Sequence, residues 1–224
     1  MRIAIDINGI GAKSGGLGTY IKLLVQNLAA IDRDNEYLLY LHQGRPVDRG
    51  SLDPLLPRRP NFRLLVHRLP NIVSLLAEHK LGLRFTEPFL KREGIDVFHG
   101  PSNIVPRFKS IRSVMTLHHY LPLSDPLVAF HRGFRKRLYF GITRSAIEAA
   151  DHIATVSQTT KDNILRGLGV RPDKVTVVYP GGPAPAMQRL PGRPLPQALA
   201  ARLPGRFIIA PGPLNPRKNL EPIL

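Results

Sequence analysis

The sequence predicts an α/β fold in which a Rossmann-like parallel sheet carries helices on both faces. Short apolar segments alternate along the chain with segments of helical periodicity, as in parallel sheets. The first apolar segment, "MRIAIDI" (1–7), runs into a glycine-rich loop, "NGIGAKSGGLGTY" (8–20), and then a helix. "YLLYL" (37–41) is a continuous apolar run, which is typical of a strand buried on both faces.

The remaining elements follow in the same alternation. A helical stretch at 72–92 is expected to break or end near Pro88, and a long basic helix is expected at roughly 126–149. "TTKDNILRGLG" predicts a helix that Gly167 or Gly169 ends. Ser157, Thr159 and Thr160 are expected as caps, with Thr159 or Thr160 as the N-cap. Further strands are predicted at 62–69, 95–100, 112–119, 152–157 and 174–180.

Composition divides the 224 residues into three parts. Residues 1–180 contain the alternating elements and predict an N-terminal Rossmann-like domain. Residues 181–205 are rich in proline and glycine and predict a linker, with a short helix near 197–202. Residues 206–224 predict one strand, a loop and a helix start, which together would open a second Rossmann-like domain that is truncated.

The net charge of +16 comes from 32 basic and 16 acidic residues. It is consistent with an anionic partner or with a simple compositional bias. A nucleic-acid partner is not expected, because the sequence contains no zinc-ligand spacing or convincing helix-turn-helix pattern. The chain has no cysteine and no apolar run near the ~20 residues that span a membrane. A cytoplasmic location is the expectation.

The glycine-rich loop has two interpretations. Gly15, Gly16 and Gly18 would let backbone N–H groups approach a phosphate at the start of a helix. The loop is neither a Walker A sequence nor a G-x-G-x-x-G fingerprint, so it is also compatible with an ordinary turn. The loop alone does not decide between them.

Six motifs in series strengthen the first interpretation. They are "SGGLGTY", "DVFHGPSNIVP", "VMTLHHYLPLSDP", "ADHIATVSQTTKDNI", "KVTVVYPG" and "FIIAPGPLNPRKNLEPIL". In this order they closely resemble the family 4 (group 1) retaining glycosyltransferases of the two-domain GT-B fold, especially their mannosyltransferase-like members. The resemblance implies that the N-terminal domain holds the acceptor and the C-terminal domain holds the nucleotide-sugar donor.

The resemblance implies which residues bind the nucleotide-sugar donor. Lys218 matches the lysine that stabilises the donor diphosphate, where a fixed cation suits the charge that develops on the leaving group. Arg217 is expected to assist it, because Pro213 stands where many members have an arginine. The backbone of Gly15 and Gly16 is expected to reach the diphosphate or the transferred sugar.

The acceptor side is expected at strand ends. His118 matches the histidine of the family's "HD" signature, and with Lys218 it is the expected catalytic pair. His119 is also expected on the acceptor side, where it replaces the aspartate of that signature and so removes an anion beside the site. His99 is expected either to line the acceptor pocket or to hydrogen-bond a loop, and Asp6 to hold the glycine loop or to be structural.

The basic helix offers a possible partner surface. Its cations are expected to contact anionic lipid or a polyprenyl-diphosphate-linked acceptor, which would place the protein at the inner face of a membrane. An ordinary amphipathic surface helix is the alternative. The cations are Arg132, Arg135, Lys136 and Arg137. No metal site and no cofactor beyond the nucleotide-sugar substrate are expected.

The implied activity is transfer of a hexose, with mannose as a candidate, from a nucleotide sugar to a saccharide or lipid-linked acceptor with retention. The family's E-x7-E motif is missing, so the chain is expected to be the front part of such an enzyme. Two alternatives stay open. One is a non-catalytic acceptor- or lipid-binding half that works with a separate donor-domain chain, and the other is an inactive truncated fragment.

Overall fold

A computed structural model describes residues 1–10, 15–42, 52–53, 56–120, 134–181, 196–200 and 202–203. Its centre is one seven-stranded sheet in which every pairing is parallel. The strands are β1 (Arg2–Asp6), β2 (Glu36–His42), β3 (Phe62–His67), β4 (Val97–Gly100), β5 (Arg112–Leu117), β6 (His152–Thr155) and β7 (Val175–Val177). Their order across the sheet is β3-β2-β1-β4-β5-β6-β7.

Helices connect these strands. They are α1 (Gly16–Ile31), α2 (Asn71–Lys80), α3 (Thr86–Arg92), α4 (Phe134–Ala149), α5 (Gln158–Leu168) and α6 (Gln197–Ala200), with a short 3-10 helix at Pro172–Lys174. This alternation confirms the predicted α/β fold. None of the helices in the described ranges combines the length and apolar character needed to cross a bilayer.

The core lies in two layers, one on each face of the sheet. Ile5 and the inner side of α1, with Ile21 and Val25, belong to one layer. Ala4 and Phe98 belong to the other, together with side chains of α3, α4 and α5. Successive residues of a strand point to opposite faces, so the neighbours Ala4 and Ile5 enter different layers. Burial on both faces explains the continuous apolar runs in the sequence.

The predicted helix at 72–92 is two helices, and its break precedes Pro88. The chain leaves α2 at Leu81 and passes through Gly82, whose φ of 68° lies in the left-handed region that glycine tolerates. Pro88 lies in the first turn of α3, where its missing N–H has no intrahelical acceptor to lose. The helix therefore breaks near Pro88, as expected, but Pro88 itself lies inside α3 and is not the cause of the break.

The N-cap of α5 is the first of the three expected cap residues and not one of the two threonines. Ser157 is the cap, and its Oγ accepts the backbone N–H of Thr160 at 3.2 Å. Thr159 and Thr160 lie inside the helix, so neither is the N-cap. The expected glycine stop is Gly169, with a φ of 62°.

Several boundaries are shorter than predicted. β5 ends at Leu117, so His118 and His119 follow the strand rather than belong to it. β7 stops at Val177 because it pairs only with the short β6. α1 begins at Gly16, which places Gly16 and Gly18 in the helix rather than in the loop. The predicted strand, loop and helix start at 206–224 lie outside the described residues, as does most of 181–205.

Candidate active site

The candidate site lies where β1 and β4 meet. These strands are neighbours in space, but their chain connections run outward in opposite directions across the sheet. Such a switch point leaves a crevice at the carboxyl ends of the strands, which is where open α/β sheets bind ligands. The β1 end contributes Asp6, the β4 end contributes His99, and His118 follows β5. The fold therefore brings together three residues that are distant in the sequence.

His99 is held by the neighbouring strand. It is paired in register between Ile5 and Val114, and its Nε2 lies 2.8 Å from Thr116 Oγ1. Burial, with a smaller effect from His118, lowers the pKa of His99 to about 4. The ring is therefore neutral at pH 7, and its hydrogen-bond partner is a strand residue and not the loop. The acceptor-pocket role of His99 stays a prediction.

His118 is fixed by the loop that follows β4. Its Nε2 lies 2.9 Å from the carbonyl oxygen of Pro101, and its backbone N–H donates to Asn103 Oδ1 at 2.7 Å. A carbonyl only accepts, so Nε2 carries the proton and Nδ1 has the lone pair. Burial lowers the pKa of His118. Tyr20 of α1 packs edge-on against the ring, with centroids 4.7 Å apart.

The neutral His118 ring therefore has one nitrogen, Nδ1, that can accept a hydrogen bond from a ligand. Within the described residues, Nδ1 has no hydrogen-bond partner, and the side chain is only half-buried. A neutral imidazole nitrogen can accept a hydrogen bond from a hydroxyl group. His119 beside it is exposed.

The loop between β4 and β5 depends on two residues that the sequence motifs did not single out. A Cβ on Gly100 would lie 2.1 Å from the carbonyl oxygen of Ile104, so no side chain fits there. Asn103 is 4 % exposed and has a φ of 66°, a left-handed conformation that asparagine tolerates better than most residues. "GPSN" after a strand was the available signal, because glycine and asparagine favour such backbone.

The glycine loop ends in an open helix terminus. Gly15 is the N-cap of α1 in an extended conformation, and no side chain caps the helix. Gly15 and Gly16 are exposed, and a Cβ on either would meet nothing within 4 Å. Free N–H groups at a helix N-terminus carry partial positive charge. This geometry suits an anion, and residues 11–14 of the loop lie outside the described part.

Asp6 ties β1 to β2. Its Oδ1 accepts the backbone N–H of Asn8 at 2.8 Å and also the Asn8 side-chain amide. Asn8 Oδ1 in turn accepts the backbone N–H of His42 at 3.0 Å. Asp6 thus holds the first residues of the loop, as one of its predicted roles required. Burial raises the pKa of Asp6 to about 6, despite these hydrogen bonds.

A small polar cavity lies beside Asp6, on the α2 side of the sheet. Its volume is about 30 Å³, and its polar lining includes Asp6, Tyr40, His42, Ser74, Glu78 and Ser102. Glu78 is 1 % exposed and was not singled out from the sequence. An acidic residue on a helix normally predicts a solvated position, so only the packing of α2 reveals its burial.

Other predicted residues cannot be placed in this site. Lys218, Arg217 and Arg132 lie outside the described residues, and so do the side chains of Arg135, Lys136 and Arg137. No group of three or more histidine, cysteine, aspartate or glutamate side chains within the described ranges is arranged to hold a metal ion.

Comparison with known proteins assigns the family. The sequence profile of Glycosyltransferase Family 4 matches residues 14–182, well over half of the chain. The chain belongs to Glycosyltransferase Family 4. No curated protein matches it significantly. Among solved structures, the N-terminal domain of Candida albicans trehalose-6-phosphate phosphatase aligns with 14% identity and a TM-score of 0.41, covering 80% of this chain and 48% of that one.

Family membership agrees with the resemblance seen in the sequence. The match begins just before Gly15 and ends just after β7, so it contains the last part of the glycine loop, His99 and His118. The predicted parallel α/β architecture and the family are confirmed together. The sugar, the nucleotide and the acceptor stay predictions.

Proposed function

We propose that this glycosyltransferase family member transfers a hexose, with mannose as the first candidate, from a nucleotide sugar to a saccharide or lipid-linked acceptor with retention. The family match carries the reaction class. The observation that supports the position of the site is the convergence of the α1 N-terminus, His99 and His118 at the carboxyl edge of the sheet. No metal ion takes part in the proposed step.

Each site group has a proposed role. His118 Nδ1 accepts a hydrogen bond from a hydroxyl of the acceptor or of the transferred sugar, while Pro101 holds the ring through Nε2. The backbone at Gly15 and Gly16 approaches the diphosphate or the sugar. Arg217 and Lys218 neutralise the charge that develops on the leaving diphosphate.

Release of nucleoside diphosphate tests the proposal. The chain is supplied with a complete donor-binding domain, in the same polypeptide or as a separate one, and is incubated with GDP-mannose or UDP-glucose and a mixture of saccharide acceptors. We expect acceptor-dependent release that His118→Ala lowers about 100-fold. His152→Ala is the matched control, because His152 hydrogen-bonds Thr176 at the far side of the sheet. Equal rates for His118→Ala and the wild type would contradict the assignment.

A second candidate function is a non-catalytic acceptor- or lipid-binding half that works with a separate donor-domain chain at the cytoplasmic face of a membrane. Exposed apolar side chains between α2 and α3 favour it, namely Leu81, Leu83 and Phe85. They follow Lys80, which packs against Gly141 of the basic helix α4. Apolar groups beside cations suit an anionic lipid surface.

Vesicle sedimentation distinguishes this candidate. We expect the chain to bind phosphatidylglycerol vesicles more than phosphatidylcholine vesicles, and the double variant Leu81→Ser, Phe85→Ser to bind several-fold less. Val178→Ser is the control. Val178 is also exposed, but it follows β7, the outermost strand on one side of the sheet. Lipid binding without any sugar transfer would favour the non-catalytic half. Equal binding by all variants would show that these apolar side chains do not bind the lipid.

A further inference from the structure

The cavity between β1, β2 and α2 contains a carboxyl group that the protein leaves incompletely satisfied. Glu78 Oε1 accepts the backbone N–H of Thr86 at 2.8 Å. Within the described chain, Oε2 is buried and has no hydrogen-bond partner. A buried carboxyl oxygen without a partner costs free energy in either protonation state, so a ligand group that donates to it would be stabilised there.

The lining of the cavity is anionic in a strongly cationic protein. The chain carries a net charge of +16, yet the described lining residues include Asp6 and Glu78 and no lysine or arginine. Neither acid forms an ion pair with a described residue. Their fields combine at Tyr40, whose ionisation both acids disfavour. The cavity therefore favours a compact cation.

The size of the cavity limits what enters it. A volume of about 30 Å³ holds one small polar group and not a sugar ring. Glu78, Tyr40 and Ser74 are buried, whereas Asp6 and Ser102 are half-buried, and we define the side of the cavity lined by these two as its mouth. A ring that places one substituent inside must therefore lie outside the mouth.

The mouth is next to the candidate active site. Ser102 directly follows Pro101, whose carbonyl oxygen accepts from His118. Asp6 follows Ile5, the residue paired with His99, so Asp6 and His99 lie at the same end of the sheet but on opposite faces. A hexose with one group in the cavity would therefore extend toward the edge of the sheet on which the acceptor is proposed to lie.

We propose that Asp6 and Glu78 bind the primary ammonium group of an amino-sugar acceptor. The acceptor role rests on the proposed transferase function, whereas binding of the ammonium group does not. The ammonium donates to Glu78 Oε2 and to Asp6, which leaves the sugar hydroxyl groups outside the cavity. A neutral hydroxyl group is a weaker ligand for the same place, because hydrogen bonds between charged groups are roughly twice as strong as neutral ones.

Binding without any donor tests the proposal. Glucosamine and glucose are titrated separately into the isotopically labelled full chain at pH 7.5, and affinities are read from NMR chemical-shift changes. We expect glucosamine to bind about tenfold more tightly than glucose. N-acetylglucosamine, which has lost the charge and gained bulk, is expected to bind no better than glucose.

Two variants locate the effect. Asp6→Asn and Glu78→Gln are each expected to reduce the preference for glucosamine to less than about threefold. Asp173→Asn removes one negative charge at the opposite edge of the sheet, where Asp173 pairs with Arg171, and is expected to keep the full preference. Using both cavity variants keeps the test valid if one of them fails to fold.

The outcomes separate this proposal from the transferase assignment. Equal affinities for the two sugars, no saturable binding of glucosamine, or a preference that survives in both cavity variants would overturn it. Ammonium chloride that competes fully at concentrations equal to those of glucosamine would show that the cavity takes a free cation and not the sugar. Tight glucosamine binding by a chain that transfers no hexose would contradict the proposed function and leave the cavity assignment standing.

Discussion

On the α1 face of the sheet, His99 and His118 each have one ring nitrogen hydrogen-bonded to a protein group. On the α2 face, Glu78 has a buried carboxyl oxygen that has no hydrogen-bond partner in the described chain. Both regions lie at the carboxyl edge, and both contain titratable groups with shifted pKa values. The histidines are held neutral by burial and position a single acceptor nitrogen. The acids are poorly compensated, which is typical of a recognition site that a ligand completes.

The two regions share the loop after β4, so damage to that loop should disable both. Gly100→Ala places a methyl group 2.1 Å from the Ile104 carbonyl oxygen, and backbone must shift to accept it. We expect a loss of about 3 kcal/mol or more in the free energy of unfolding, measured with urea. Gly16→Ala is the control, because its Cβ would meet nothing within 4 Å. Equal stability of the two variants would show that the loop relaxes freely.

The histidine region should lose stability in acid. The pKa of His99 falls from 6.5 to about 4 on folding, so its contribution is fully present above pH 6.5 and is lost as the pH falls toward 4. The full loss is on the order of 2–3 kcal/mol for this half-buried ring. His99→Gln should flatten the wild-type decline between pH 6.5 and 4 in urea unfolding. A decline of unchanged slope in the variant would place the acid sensitivity elsewhere.

Asn103 separates the two regions better than Gly100 does, because its side chain contacts His118 and does not line the cavity. Its Oδ1 accepts the His118 backbone N–H, and its φ is positive. Asn103→Ala should cost about 2 kcal/mol, because it leaves that N–H without its partner and strains the backbone. Asn103→Gly relieves the strain and isolates the lost hydrogen bond, so it should cost less. Glucosamine binding should stay within about twofold of wild type in both, if the two regions act separately.

Sequence reasoning found the histidine region more readily than the acidic cavity. Residues at the ends of apolar runs, such as His99 and His118, are placed at one edge by the parallel sheet itself. Glu78 gave no signal, because its burial depends on how α2 packs against β1 and β2. The exact position of the break near Pro88, and the choice of Ser157 among three candidate caps, were not predicted for a related reason. Each depends on a local choice between adjacent residues that tertiary contacts decide.

The most direct measurement is the unfolding free energy and the glucosamine affinity of Asp6→Asn, determined on the same preparation. Folding raises the pKa of Asp6 from 3.8 to about 6, so ionised Asp6 destabilises the fold above pH 6, and this penalty disappears as the pH falls toward 4. Glu78, Tyr40 and His42, which line the same cavity, stay unchanged in the variant.

At pH 7.5 the variant is therefore expected to be more stable than the wild type by about 1–2 kcal/mol, to lose that advantage near pH 4, and to bind glucosamine several-fold more weakly. Asp173→Asn should change neither quantity. A variant that is less stable than the wild type at pH 7.5 and still prefers glucosamine over glucose would show that Asp6 is a structural residue, and that the two regions of the edge do not differ as proposed.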